Sequence, residues 1–150
     1  MRRIIDSDLL TMLVRLAVGG MFVYASLYKI LDPGAFARSI WFYHMVPGTY
    51  INLMAIVLPW IELLCGLALI FGVLYRGAVL WANLLTVVFL FALGSAIMRG
   101  LSIDCGCFKA GAEATDGAWD SFYFDIGLLI LTLQLLFSRS KGWRLAPAKR

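Results

Sequence analysis

"LLTMLVRLAVGGMFVYASLYKIL", residues 9–31, decides the fold. Only Arg15 and Lys29 carry charge in an otherwise apolar run. A helix crossing the hydrocarbon core of a bilayer needs about 20 such residues. The apolar residues are continuous instead of alternating, which excludes a lipid-facing barrel strand. The run is also too long for the hydrophobic part of a secretory signal and lacks a small-x-small cleavage site, so it reads as a retained transmembrane helix.

Three more stretches repeat the pattern, at about 53–72, 78–98 and 119–137. Hydrophobic residues make up 62% of the 150-residue chain and charged residues only 15%. A soluble domain of this size cannot hide so much apolar surface, whereas a bilayer can hold it. The expected fold is all-α: one domain, residues 1–150, forming a four-transmembrane-helix bundle. The first outer loop should add a short interfacial helix. Asp32 caps it, Pro33 takes its first position, and Pro47–Gly48 ends it. Its Phe36, Ile40, Trp41 and Tyr43 suit the headgroup zone, close to the second outer loop.

Four spans place both termini and the middle loop on one side. That side collects Arg2, Arg3, Arg76 and the basic tail from Arg139 to Arg150, whereas Arg38, Arg99 and Lys109 lie in the loops opposite. Basic residues concentrate in the cytoplasm, so the expected location is the inner, cytoplasmic membrane with both termini inside. The acids Asp104, Glu113, Asp116, Asp120 and Asp125 fall in or beside the second outer loop. A pI near 9.2 is then a topology signal, with the tail against anionic headgroups, and needs no nucleic acid to explain it.

Several side chains inside the spans call for partners. Glu62, in "LPWIELLCG", lies near the middle of the second span, where an ionised carboxylate must be protonated, paired or wet. Arg15 and Lys29 are 14 residues apart, hence on a similar face and about 21 Å apart along the axis. Lys29, near its helix end, can snorkel outward. Reach alone does not decide which of the two meets Glu62. Three roles fit the carboxylate: a proton relay, a hydrogen-bonding contact for a quinone-like head group beside Trp60, or a structural ion pair. Cys65 shares a face with Glu62 and reads first as a buried small hydrophobe, second as a relay thiol. Gly19–Gly20 and Gly94–Ser95 allow close helix contacts, within one bundle or between copies in an oligomer.

"SIDCGCFK", residues 102–109, carries the remaining chemistry. With the topology above, Cys105 and Cys107 lie outside, where disulfides form and persist. Gly106 permits the unusual backbone that a pair so close in sequence needs. A ring that small is strained and suited to exchange. Lys109 favours a thiolate at Cys107, and Asp104 disfavours one at Cys105. A zinc site would need convergence of Asp104, His44 and both cysteines. Thiolate capture of Cu(I) and an incidental structural pairing are the other readings. No metal is expected on balance. Exchange proceeds through a mixed disulfide with a thiol partner.

The stretches "RLAVGGMFVYASLYKILDPGAFA", "LPWIELLCGLALIFG" and "RGLSIDCGCF", taken together, resemble the MauE/DoxX-like family of redox-associated membrane proteins. The resemblance implies a four-helix membrane fold linked to thiol or sulfur redox. Its MauE members are associated with maturation of a disulfide-rich enzyme subunit beside a thioredoxin-like partner, and its DoxX members with quinone-coupled sulfur oxidation. The family pattern falls on Arg15, Lys29, Glu62, Cys105 and Cys107. Lys109 stands where relatives often have glycine, and Phe124 stands where an arginine commonly precedes Asp125. The expected function is a membrane thiol–disulfide redox protein, with Cys105, Cys107 and Glu62 reactive. Glu62, Trp60, Lys29 and Arg15 would surround a quinone, and the partner would be a thioredoxin-like or sulfur-metabolism protein. The alternative is a non-enzymatic membrane subunit for sulfur-compound transport or partner assembly, or a soft-metal carrier.

Overall fold

The structure is a computed structural model that describes residues 8–100 and 118–138. Asp104, Cys105, Cys107 and Lys109 lie outside the described residues, as does the basic tail. Among the described residues five helices follow one another: α1 (Asp8–Leu31), α2 (Pro33–Tyr43), α3 (Gly48–Phe71), α4 (Tyr75–Met98) and α5 (Ala118–Phe137). All but α2 are long and apolar enough to cross a membrane, so the chain is a multi-pass, all-α membrane bundle.

The boundaries follow local chemistry. The Asp32 carboxylate accepts from the Ala35 amide at 2.9 Å, and Pro33 opens α2 at a position where a missing N–H costs nothing. His44 closes that helix in the left-handed region. The helix α3 starts at Gly48, before the apolar run at Leu53, because the extended Pro47 sets the break and its carbonyl accepts from Tyr50. It continues unbroken through Pro59. Gly72, left-handed at φ 70, ends it.

The tightest packing joins α1 to α3. A Cβ on Gly19 would lie 2.8 Å from Ile70 Cγ1 and 2.9 Å from the Gly66 carbonyl, and one on Gly66 would lie 2.8 Å from the Gly19 carbonyl. Only paired glycines permit that approach. Gly20, by contrast, has nothing within 4 Å of such a Cβ. Val14, Val18, Leu69, Val79, Ala82 and Leu135 extend the core across all four spans.

Hydrogen bonds clasp α5 onto the bundle. Asn83 Nδ2 donates to the Thr132 carbonyl at 3.1 Å, and Thr132 Oγ1 donates back to Asn83 Oδ1 at 3.1 Å. The Tyr75 hydroxyl donates to the Leu135 carbonyl at 2.9 Å, and Thr11 and Ser138 share a 2.9 Å hydroxyl contact. With few hydrogen-bonding competitors in an apolar surround, such pairs fix helix register.

The short helix expected in the first outer loop is present as α2, and one of its faces packs inward. Phe36 and Ile40 are buried against Ile51 and Ala55 of α3, leaving Trp41 and Phe42 exposed. Arg99 donates to the Tyr43 carbonyl at 3.0 Å, and Ser95 Oγ lies 3.3 Å from Met45 Sδ. These contacts tie the end of α2 to the end of α4, where the chain departs toward Cys105.

Candidate functional site

The Gly19–Gly66 contact sets the antiparallel offset of α1 and α3. Side chains lean toward the N-terminus of their own helix, so Lys29 reaches back along α1 while Glu62 leans the opposite way to meet it. Lys29 Nζ lies 2.9 Å from both Glu62 oxygens. Each residue is 1% exposed. The same ammonium sits 5.0 Å from the Phe36 ring centroid and 4.6 Å from that of Phe89. Two aromatic faces thus complement the cation where water would otherwise be needed.

Lys29 is the partner of Glu62, and it does not snorkel. The fold-back of α2 puts Phe36 over the end of α1 and turns a helix-end lysine into an interior one. Arg15 is also buried, about 21 Å away along α1, and does not line the cavity described below.

Beside the ion pair lies a small, partly open cavity of about 40 Å³. Met21, Phe22 and Ala25 of α1, Thr86 and Phe89 of α4, and Phe124, Asp125 and Leu128 of α5 line it together with Lys29 and Glu62. Its walls are almost wholly aromatic and aliphatic, with Lys29, Glu62, Thr86 and Asp125 as the polar residues among them.

Asp125 is the residue that sequence reasoning passed over. Counted there among acids near the outer loop, it lies within α5, 3% exposed. Its Oδ2 meets no hydrogen-bond donor among the described residues. The signal was available: an acid seven residues into a membrane helix is a functional candidate by default. Thr86 was also missed; its hydroxyl donates to the Ala82 carbonyl at 2.8 Å.

Trp60 is half exposed, at 52%, and does not line the cavity. Two residues from Glu62 on a helix, it points about 200° away. Cys65 is a buried free thiol in the apolar core, also away from the cavity lining. Among the described residues, no three His, Cys, Asp or Glu side chains gather as a metal site.

The chain departs from α4 at Met98 and enters α5 at Ala118, and Cys105 and Cys107 belong to the segment between. Phe89 and Asp125 lie nine and seven residues from those helix ends, about 14 and 10 Å along the axes. The cavity therefore occupies the half of the bundle from which that segment springs. One buried cation and two carboxylates there can bind, orient and exchange protons with a ligand of apolar body and polar head.

Comparison with known proteins gives this architecture a family. A curated relative, the methylamine utilization protein MauE of Methylophilus methylotrophus, is 30% identical over 110 residues, which is 73% of this chain and 58% of that protein. The protein of the same name from Paracoccus denitrificans is 31% identical over 101 residues, 67% of this chain and 54% of its own length. The chain thus spans little more than half of either relative. No solved structure matches. The profile of the family described as methylamine utilisation protein MauE matches residues 7–138, nearly the whole membrane bundle, and the chain belongs to that family.

Proposed function

We propose that the protein is an integral-membrane thiol–disulfide redox protein, with Cys105 and Cys107 outside the inner membrane and both termini in the cytoplasm. A thiolate of a thioredoxin-like or sulfur-metabolism partner attacks one sulfur of the Cys105–Cys107 disulfide, and the other sulfur departs as a thiolate. The partner's second thiol then breaks the mixed disulfide. The partner ends oxidised, and Cys105 and Cys107 end as thiols holding two electrons and two protons. A membrane quinone accepts both electrons and both protons, which restores the disulfide and yields a quinol. The same steps run backward when the partner's potential demands it.

The observation that supports this reading is the cavity at Lys29, Glu62 and Asp125, in the half of the bundle where α4 ends and α5 begins. Proton-coupled exchange between solvent thiols and a lipid carrier needs acid–base groups at such a place. The relatives are methylamine utilization proteins; the second reading is a non-enzymatic membrane subunit that supports maturation or assembly of a partner without turnover.

Reconstitution separates the two. Liposomes containing the protein and a quinone receive a reduced thioredoxin-like protein, and quinol formation is followed by absorbance. Redox exchange predicts turnover that falls to background in Cys105→Ser and Cys107→Ser. Turnover equal in parent and both variants contradicts it. Partner capture that persists in both variants, with no turnover in the parent, supports the assembly reading.

A further inference from the structure

We propose that the cavity is a lateral binding site for a lipid-soluble molecule with a hydroxyl-donating aromatic head group, a phenol or hydroquinone, and that Asp125 is the acceptor of its hydroxyl. Three observations converge. Both Glu62 oxygens are engaged at 2.9 Å by Lys29, so that carboxylate is held as a fixed counter-ion. Asp125, 3% exposed and lining the same space, keeps Oδ2 clear of every donor among the described residues. A buried acceptor without a donor is costly, and a ligand hydroxyl relieves that cost.

The third observation is which lining residues keep some exposure. The half-buried lining residues are Met21 and Ala25 on α1, Phe89 on α4, and Phe124 and Leu128 on α5. Of the spans, α1 packs extensively against α3 and only lightly against α5. The cavity therefore opens along the α1–α5 seam, which faces hydrocarbon in a bilayer. A ligand arriving there comes from the lipid, with an apolar tail remaining in the seam. Its ring meets Phe22, Phe89 and Phe124, whose faces and edges suit an aromatic body. Where the bundle couples to a quinone, the hydroquinone belongs to this class, but binding requires neither Cys105 nor Cys107.

Photolabelling of the full-length protein in nanodiscs tests this. An alkylphenol carrying a diazirine on its chain is competed with 4-octylphenol or with octylbenzene, which lacks the hydroxyl. Labelling should map to the α1–α5 seam, and octylphenol should compete about threefold to tenfold better, the worth of one hydrogen bond. Asp125→Leu should bring the two competitors to within about twofold of each other, the hydroxyl then gaining no bond of its own. Ala25→Trp should block labelling at the seam, and Trp60→Leu should leave it unchanged. Replacing Cys105 and Cys107 by serine should also leave labelling unchanged, which keeps this test separate from thiol turnover. Equal competition in the parent protein, or label spread over all lipid-facing helices, overturns the proposal without recourse to any variant.

Discussion

Lys29 and Glu62 neutralise each other where neither alone could remain ionised at tolerable cost. Removing one partner of a buried pair strands a charge, whereas replacing both by apolar residues of similar volume is often neutral. Lys29→Met should therefore destabilise the bundle by about 3–5 kcal/mol, and Lys29→Met combined with Glu62→Leu should recover most of that loss. Unfolding titrations of the three variants in mixed micelles measure both. A double variant as unstable as the single one would mean that the ammonium is held by its aromatic neighbours more than by the carboxylate. The pairing was only half legible in the sequence. Arg15 and Lys29 share a face, and what selects Lys29 is the vertical offset of two helices, a long-range property that local spacing does not encode. Asp125 was obscured differently: it falls within the fourth apolar run, yet it was grouped with the acids of the neighbouring loop. Trp60 does not line the cavity, in keeping with its helical angle from Glu62.

At the scale of elements, the offset comes from glycine. Gly19 and Gly66 let the backbones of α1 and α3 touch, and the ion pair follows from that contact. An added methyl at Gly66 would sit 2.8 Å from a backbone carbonyl and 3.0 Å from the Val23 nitrogen, neither of which can swing away. Gly66→Ala should cost about 1–3 kcal/mol through overpacking. Gly20→Ala, with open space around its Cβ, should change stability by no more than about 0.5 kcal/mol or raise it slightly. Thermal unfolding of the two purified variants compares them directly. The spans themselves were plain in the sequence because each is a continuous apolar run, and α2 was plain from Asp32–Pro33. The burial of Phe36 and Ile40 was not, because an amphipathic helix of that length fits a headgroup layer and a protein groove equally well.

For the molecule as a whole, four membrane helices form a scaffold whose polar interior is confined to a few positions. The cavity lies in one half of the bundle, on the side of the helix ends that lead into and out of the CGC segment. Phe89 and Asp125 of its lining lie about 10–14 Å from those helix ends, measured along α4 and α5. Asn83, Thr132 and Tyr75 clasp α5 to α4 at positions deeper than the cavity. Family membership accords with the fold, since the matched region, residues 7–138, runs from the start of α1 to the end of α5.

The most direct test is the state and side of the two loop thiols in intact cells. A membrane-impermeant maleimide is applied with and without mild prior reduction to the parent protein and to Cys105→Ser, Cys107→Ser and Cys65→Ser. Thiol–disulfide exchange at an outward loop predicts labelling of Cys105 and Cys107 only after reduction, unchanged when Cys65 is replaced. Free labelling without reductant, or none after it, would contradict an outward, exchangeable disulfide.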